Sequence, residues 1–258
     1  PADFSELIAN HKEVRLGLLL DAADTTLATS TEGFLTAIAR TFYMHTRLER
    51  TPLTERNLRP EATGVVTPVR RVLFNPTLSG TAYTLPGLLG MICLFLTVFI
   101  TAIALVRERE TGTLEQLLVT PVTSTEVVLG KILPFGVVAM GAVIACIAVG
   151  WLLFDLVPVG STLLLLMVTP IFLLIGLAQG LLISSLARSS VDAVERSVLT
   201  MVPQMMLSDY IFPLALMGQP FRTIGEVFPL THYIRVTRGI YLKGQGFADL
   251  WPEIAILC

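Results

Sequence analysis

The rhythm of apolar positions along this chain changes near residue 85. Before about Thr81 they come in short groups. Val14 to Leu20 (VRLGLLL) predicts an apolar strand followed by the turn-like Asp21-Ala22-Ala23-Asp24. Phe34, Leu35, Ile38, Ala39 and Phe42 recur at helical spacing, the charged, proline-containing stretch Arg47 to Pro60 reads as a loop, and Val65 to Phe74 predicts a second extended segment. These elements predict a small α/β domain over residues 1–84, incomplete as it stands.

From Leu88 onward the apolar runs become continuous. Leu88 to Val106 carries no charge over about 19 residues, enough for a helix to cross a hydrocarbon core of roughly 30 Å. Ile132 to Phe154 predicts a second span. The uncharged stretch from Leu156 to Ala187 is too long for one helix, and the turn Pro158-Val159-Gly160-Ser161 leaves about Thr162 to Ile183 as the third. A fourth, about Val198 to Met217, is interrupted by Pro203 and Pro213 and contains Asp209, which predicts a broken or re-entrant helix. Arg222, Glu226, Arg235, Arg238 and Lys243 exclude a span between Phe221 and Lys243, so residues 218–249 are expected to lie at the outer interface. Trp251 to Cys258 reads as the opening of a truncated span from about residue 250.

Composition names the solvent. The chain is 53% hydrophobic and 15% charged with a mean hydropathy of +0.72, whereas soluble domains carry about 25% charged residues. The fold class is therefore a mostly α membrane protein, a polytopic helical bundle. A net charge of −2 with no basic tract removes the electrostatic case for a nucleic-acid partner. Cys93, Cys146 and Cys258 lie in apolar stretches, are odd in number and read as buried thiols. The ends at Pro1 and Cys258 read as cuts in a longer chain, with a segment missing at each. Positive charge orients the chain weakly. With the N-terminal domain outside, the inner loops hold Arg107, Arg109, Lys131, Arg188 and Arg196, and the outer segments hold Arg222, Arg235, Arg238 and Lys243.

The stretch that carries chemistry starts where the first span ends: Arg107-Glu108-Arg109-Glu110-Thr111-Gly112-Thr113-Leu114-Glu115-Gln116-Leu117-Leu118-Val119-Thr120-Pro121. A charge cluster and a glycine break precede a short amphipathic helix. Thr113 with Gln116 fits a capping box, and Leu114, Leu117 and Leu118 make one apolar face. Thr123 with Glu126 fits a second box, opening the helix that becomes the next span. Such a helix, lying on the inner surface between Gly112 and Pro121, can receive a push from a docked partner and pass it to both adjoining spans. A solvated loop whose Arg and Glu residues pair with each other is the plainer reading of a charge cluster.

The run RERETGTLEQLLVTP, with Glu126, Leu129-Gly130-Lys131 and Pro134 after it, resembles the signature of the type-2 ABC (ATP-binding cassette) exporter permeases, in the multidrug-efflux-like branch. Phe74-Asn75-Pro76, Pro86-Gly87-Leu88, Gly180-Leu181-Leu182-Ile183-Ser184 and Arg238-Gly239-Ile240-Tyr241-Leu242-Lys243-Gly244 extend the resemblance over essentially the whole chain. The resemblance implies six spans in the full protein with both termini cytoplasmic, and an extracytoplasmic α/β domain between the first two. It also implies a bacterial inner-membrane location, with Leu88 to Val106 as the second span. Arg107, Glu108, Arg109, Glu110, Gly112, Thr113, Leu114, Glu115, Leu117, Thr120 and Pro121 would form the segment that contacts the ATPase. The implied partners are ABC ATPase subunits, a second permease copy or paralogue, membrane lipid and, as a further candidate, a periplasmic adaptor. ATP and Mg would sit on the ATPase, with no cofactor on this chain. The chain departs from the family pattern at Leu207-Ser208-Asp209, where relatives usually have Leu-Ser-Gly, and at Met217-Gly218-Gln219-Pro220, where Met-Pro is usual.

Other residues are candidates on their own chemistry. Asp209 is the ionisable residue well inside a predicted span, placed to meet a cation or a proton, although Pro213 nearby makes a solvated turn the plainer reading. Gln179 and Gln204 would join it in a substrate path, unless they are amides that pack helices. Gly136, Gly141, Gly176 and Gly180 permit close helix approach. His11, His45 and His232 have no metal-ligand spacing, and no metal site is expected. No G-x-x-x-x-G-K-[ST] run is present, so energy must come from a partner. The sequence therefore predicts a transport subunit rather than an enzyme. A self-sufficient secondary transporter or channel would place ionisable residues at mid-membrane, where these spans are nearly charge-free, and a membrane-embedded hydrolase would need a nucleophile and base that Asp209 alone does not supply.

Overall fold

The structure is a computed structural model that describes residues 14–21, 28–38, 41, 66–73, 80–112 and 123–258. The chain divides into two units, Pro1–Ser79 and Gly80–Cys258. In the first, strand β1 (Val14–Asp21) pairs in parallel with β2 (Val66–Leu73), in a register that sets Val14 against Val66 and Asp21 against Leu73. Parallel strands need a crossover between them, and helix α1 (residues 28–38) lies in that connection.

The second unit is helical. Among the described residues, three helices are long and apolar enough to cross a membrane: α2 (Gly80–Glu110), residues Ile132–Phe154 of α3 (Ser124–Phe154), and α4 (Thr162–Leu186). The first passes through a widened π-helical turn at Phe95–Ile100, where the Thr97 hydroxyl donates to the Cys93 carbonyl at 2.7 Å. Its buried residues Leu89, Cys93, Val98, Thr101 and Ala102 recur at helical spacing and form one face. That face meets α4 where the latter has only hydrogen for a side chain. A Cβ on Gly176 would fall 2.0 Å from Thr97 Oγ1, and one on Gly180 would fall 2.8 Å from Thr101 Cβ. These two glycines therefore set how closely α2 and α4 approach.

Helix α3 starts at the capping box expected from its sequence. Thr123 Oγ1 accepts from the Glu126 N–H, and the Glu126 carboxylate accepts from the Thr123 N–H at 2.8 Å. Little of its span is buried, and Leu133, Val137, Trp151 and Leu152 are exposed, which suits a helix whose outer face meets lipid.

The segment expected as a broken or re-entrant fourth span, 198–217, is α-helical only as far as Met206. Helix α5 runs Ser190–Met206 and ends at Leu207. Asp209 follows in the left-handed region at φ 65°, and its Oδ1 accepts the Leu214 N–H at 2.8 Å. Asp209 is thus the former of a turn between helices, where a short polar side chain can satisfy backbone that the break leaves open. A single 3₁₀ turn (Leu214–Leu216) and α6 (Gln219–Gly225) continue the chain.

Residues 218–249, expected at the outer interface, include a helix buried in the unit. Helix α7 (Pro229–Arg238) continues as π-helical turns Gly239–Lys243, and Leu230, Tyr233, Ile234, Val236 and Ile240 are each 0% exposed. The Tyr233 ring stacks on Phe172 of α4 with centroids 4.2 Å apart, and its hydroxyl shares a 2.8 Å hydrogen bond with Thr169. The orphan carbonyls of Ile240 and Tyr241 accept from the N–H groups of Gly160 (2.9 Å) and Val159 (3.2 Å). Helix α8 (Phe247–Leu257) ends the described chain. The three cysteines are not alike as expected: Cys93 is buried, Cys146 half-buried and Cys258 exposed.

Candidate functional site

The charged run Arg107-Glu108-Arg109-Glu110 forms the last turn of α2, so it extends the span as helix rather than opening a loop. Thr111 closes the helix by donating its hydroxyl to the Arg107 carbonyl at 3.0 Å. Gly112 then turns the chain at φ 73°, a conformation that a side chain would strain. Thr113, Leu114, Glu115, Leu117, Thr120 and Pro121 lie outside the described residues.

Two members of the run reach across to the turn between α4 and α5. Arg109 donates from Nη1 to the Ala187 carbonyl and from Nη2 to the Ser184 carbonyl, each at 3.3 Å. Glu110 accepts the Ser190 N–H on Oε1 at 2.8 Å and the Ser190 hydroxyl on Oε2. The carbonyl end of α4 thus meets a guanidinium, and the amide end of α5 meets a carboxylate. Both signs suit the helix poles they face.

The turn itself was not expected to matter, yet a local signal for it exists in Ser189-Ser190-Val191-Asp192, an S-x-x-D start. Ser189 Oγ accepts from the Asp192 N–H at 3.2 Å, and Asp192 Oδ2 accepts from the Arg188 N–H at 2.8 Å. The Asp192 carboxyl is held below its ordinary range by that backbone N–H and by the Arg196 guanidinium. The Thr123 N–H and hydroxyl likewise lower the Glu126 carboxyl.

The residues expected along a substrate path fall into two separate groupings. Gln204 is buried and donates to Gln179 Oε1 at 3.3 Å and to the Thr200 carbonyl at 3.4 Å, while its own Oε1 has no hydrogen-bond partner. Asp209 instead belongs with Arg238 of α7. Arg238 Nη1 donates to the Asp209 carbonyl at 2.8 Å and lies 3.8 Å from Asp209 Oδ2.

Beside them, Arg235 grips the Glu226 carboxylate with both Nη atoms at 2.7 Å, and His232 Nδ1 meets the Glu253 carboxylate of α8. These local pairs neutralise the charges of α7 and allow it to be buried, which hydropathy alone could not foresee.

The family described as "ABC-2 family transporter protein" matches residues 12–258. The probable multidrug ABC transporter permease YbhR of Escherichia coli is 30% identical over 260 residues, covering 99% of this chain and 68% of the relative. The probable multidrug ABC transporter permease YbhS is 27% identical over 247 residues, covering 95% of this chain and 63% of its own. The inner membrane transport permease YhhJ is 31% identical over 193 residues, 72% of this chain and 50% of the relative. No solved structure matches this chain.

Proposed function

This chain belongs to the ABC-2 transporter family and is the membrane subunit of an ABC transporter, and from that membership we propose that it couples ATP hydrolysis on separate ATPase subunits to the outward movement of an amphiphilic or hydrophobic compound. The names of the YbhR and YbhS relatives favour a drug-like cargo, and the apolar spans would also accept a lipid-like one. In this reading Arg107 to Pro121 lies on the cytoplasmic side as the ATPase-coupling segment. Residues 1–84 form an extracytoplasmic α/β domain. The full protein has six spans in a bacterial inner membrane, pairs with a second permease copy or paralogue, and meets a periplasmic adaptor as a further candidate partner. Gln179, Gln204 and Asp209 contribute to the substrate path.

One observation carries the reading. An unbroken helix of 31 residues, Gly80–Glu110, ends in the charged turn, and the next helix begins at the Thr123–Glu126 capping box. A push delivered between Gly112 and Thr123 therefore meets capped, rigid helices on both sides and is transmitted rather than absorbed. The chemistry of ATP stays on the partner, because the chain has no phosphate-cradling glycine loop.

The test is co-reconstitution with the cognate ABC ATPase in vesicles, following an amphiphilic dye. Transport that requires ATP and an intact ATPase supports the reading. Transport that persists with a hydrolysis-dead ATPase, or labelling that places Thr111→Cys on the outer side, sinks it.

A further inference from the structure

Arg109 and Glu110 are neighbours of opposite charge directed at opposite poles of two successive helices. The turn they grip is already closed by its own bonds: Ser189 caps α5, and Asp192 takes the Arg188 N–H and the Arg196 guanidinium. What the two residues add is an attachment of α2 to that turn. A side chain that docks on another protein offers its charge outward; these two direct theirs to backbone and hydroxyl groups of their own chain.

We propose that Arg109 and Glu110 are positioning residues that fasten the charged end of α2 to the α4–α5 turn, so that displacement of the segment after Gly112 moves α5 together with α2. The proposal rests on the coupling reading above and assigns these two residues an inward task in place of contact with the ATPase. It also gives the motion a route. Helix α5 has 17 residues, about 25 Å in length, and leads from the clamp to the break at Asp209, whose carbonyl is held by Arg238.

The test uses the permease reconstituted with its ATPase and reads transport per ATP hydrolysed. Ser190→Pro removes both groups that Glu110 accepts while sparing the helix. Position 190 is the first of α5, where the fixed proline φ fits, and Ser189 before it is already extended at φ −143° and ψ 165°. The expected result is a fall of about tenfold in the coupling ratio with hydrolysis continuing, the size set by a charge-assisted hydrogen bond.

Glu110→Cys should uncouple in the same way. Adding Ser190→Cys, with Cys146 and Cys258 replaced by Ala, and bridging the pair with a short thiol crosslinker should return the ratio to near the wild-type value. A bridged protein that stays uncoupled overturns the proposal and assigns Glu110 to the ATPase contact, leaving the coupling reading intact. Wild-type ratios in Ser190→Pro and Glu110→Cys overturn it as well. Failure of the coupling reading itself would show in the unsubstituted transporter, as transport indifferent to ATP.

Discussion

The Arg238 guanidinium lies over the face of the Tyr83 ring, its Cζ 3.8 Å from the ring centroid. Arg238 is 7% exposed, and its Nε and Nη2 have no hydrogen-bond partner, so the aromatic face is a main compensation for burying them. Tyr83→Phe keeps the face and should change unfolding free energy by less than about 1 kcal/mol, whereas Tyr83→Leu should cost about 1–2 kcal/mol. Arg238→Ala removes the donor that holds the Asp209 carbonyl and should cost about 3 kcal/mol. Thermal unfolding of the detergent-solubilised protein measures all three. Equal loss in Tyr83→Phe and Tyr83→Leu would refute the cation–π account.

The two glycines at the α2–α4 crossing should respond differently to rescue. Gly176→Ala collides with a side chain, Thr97 Oγ1 and Cβ, while Gly180→Ala also meets backbone, Val98 O at 2.9 Å and Thr97 O at 3.1 Å. Each alone should destabilise by about 1–3 kcal/mol through overpacking. Thr97→Gly should restore much of the loss in Gly176→Ala, and Thr101→Gly should restore little in Gly180→Ala. A double-mutant cycle on melting temperature gives both coupling energies.

Arg109→Lys keeps the positive charge at the carbonyl end of α4 but loses the planar fork that reaches Ser184 and Ala187 together. The expected coupling ratio lies between wild type and Arg109→Ala. If Lys performs as well as Arg, charge alone suffices and the two-point contact is irrelevant.

Acid should loosen the helix starts at Thr123 and Ser189. The Glu126 and Asp192 carboxyls are lowered in the folded protein by the groups they accept from. Their stabilising contribution is therefore complete above the unfolded values, about 4.3 for Glu and 3.9 for Asp, and is lost as pH falls through the lower folded values. Melting temperature should decline below about pH 4 in the wild type, and less steeply in Glu126→Gln and Asp192→Asn. An unchanged slope in both variants would show that other carboxylates govern the acid limb.

Much of the helical unit was legible because its signals are local. The apolar runs locate α2, the span part of α3, and α4, and the Thr123–Glu126 box is written within four residues of sequence. The N-terminal turn of α5 was equally available in Ser189 to Asp192 but was passed over in favour of the apolar stretch that follows it. In the candidate site, the charge cluster was legible as a cluster and its targets were not. Arg109 finds acceptors 75 and 78 positions away, and Glu110 finds its donors 80 positions away.

The same divide separates what each level of organisation settled for this protein. Sequence alone determined the solvent, the apolar helices and their caps, since transfer free energy is a sum over neighbouring residues and a cap is made within one turn. Only the tertiary structure decided that α7 is buried despite its arginines, that Arg238 holds the Asp209 carbonyl, and that Arg109 and Glu110 grip a turn of their own chain. A charge is costly or harmless in the interior according to the partner it meets, and that partner is a property of the fold rather than of the stretch of chain that carries the charge.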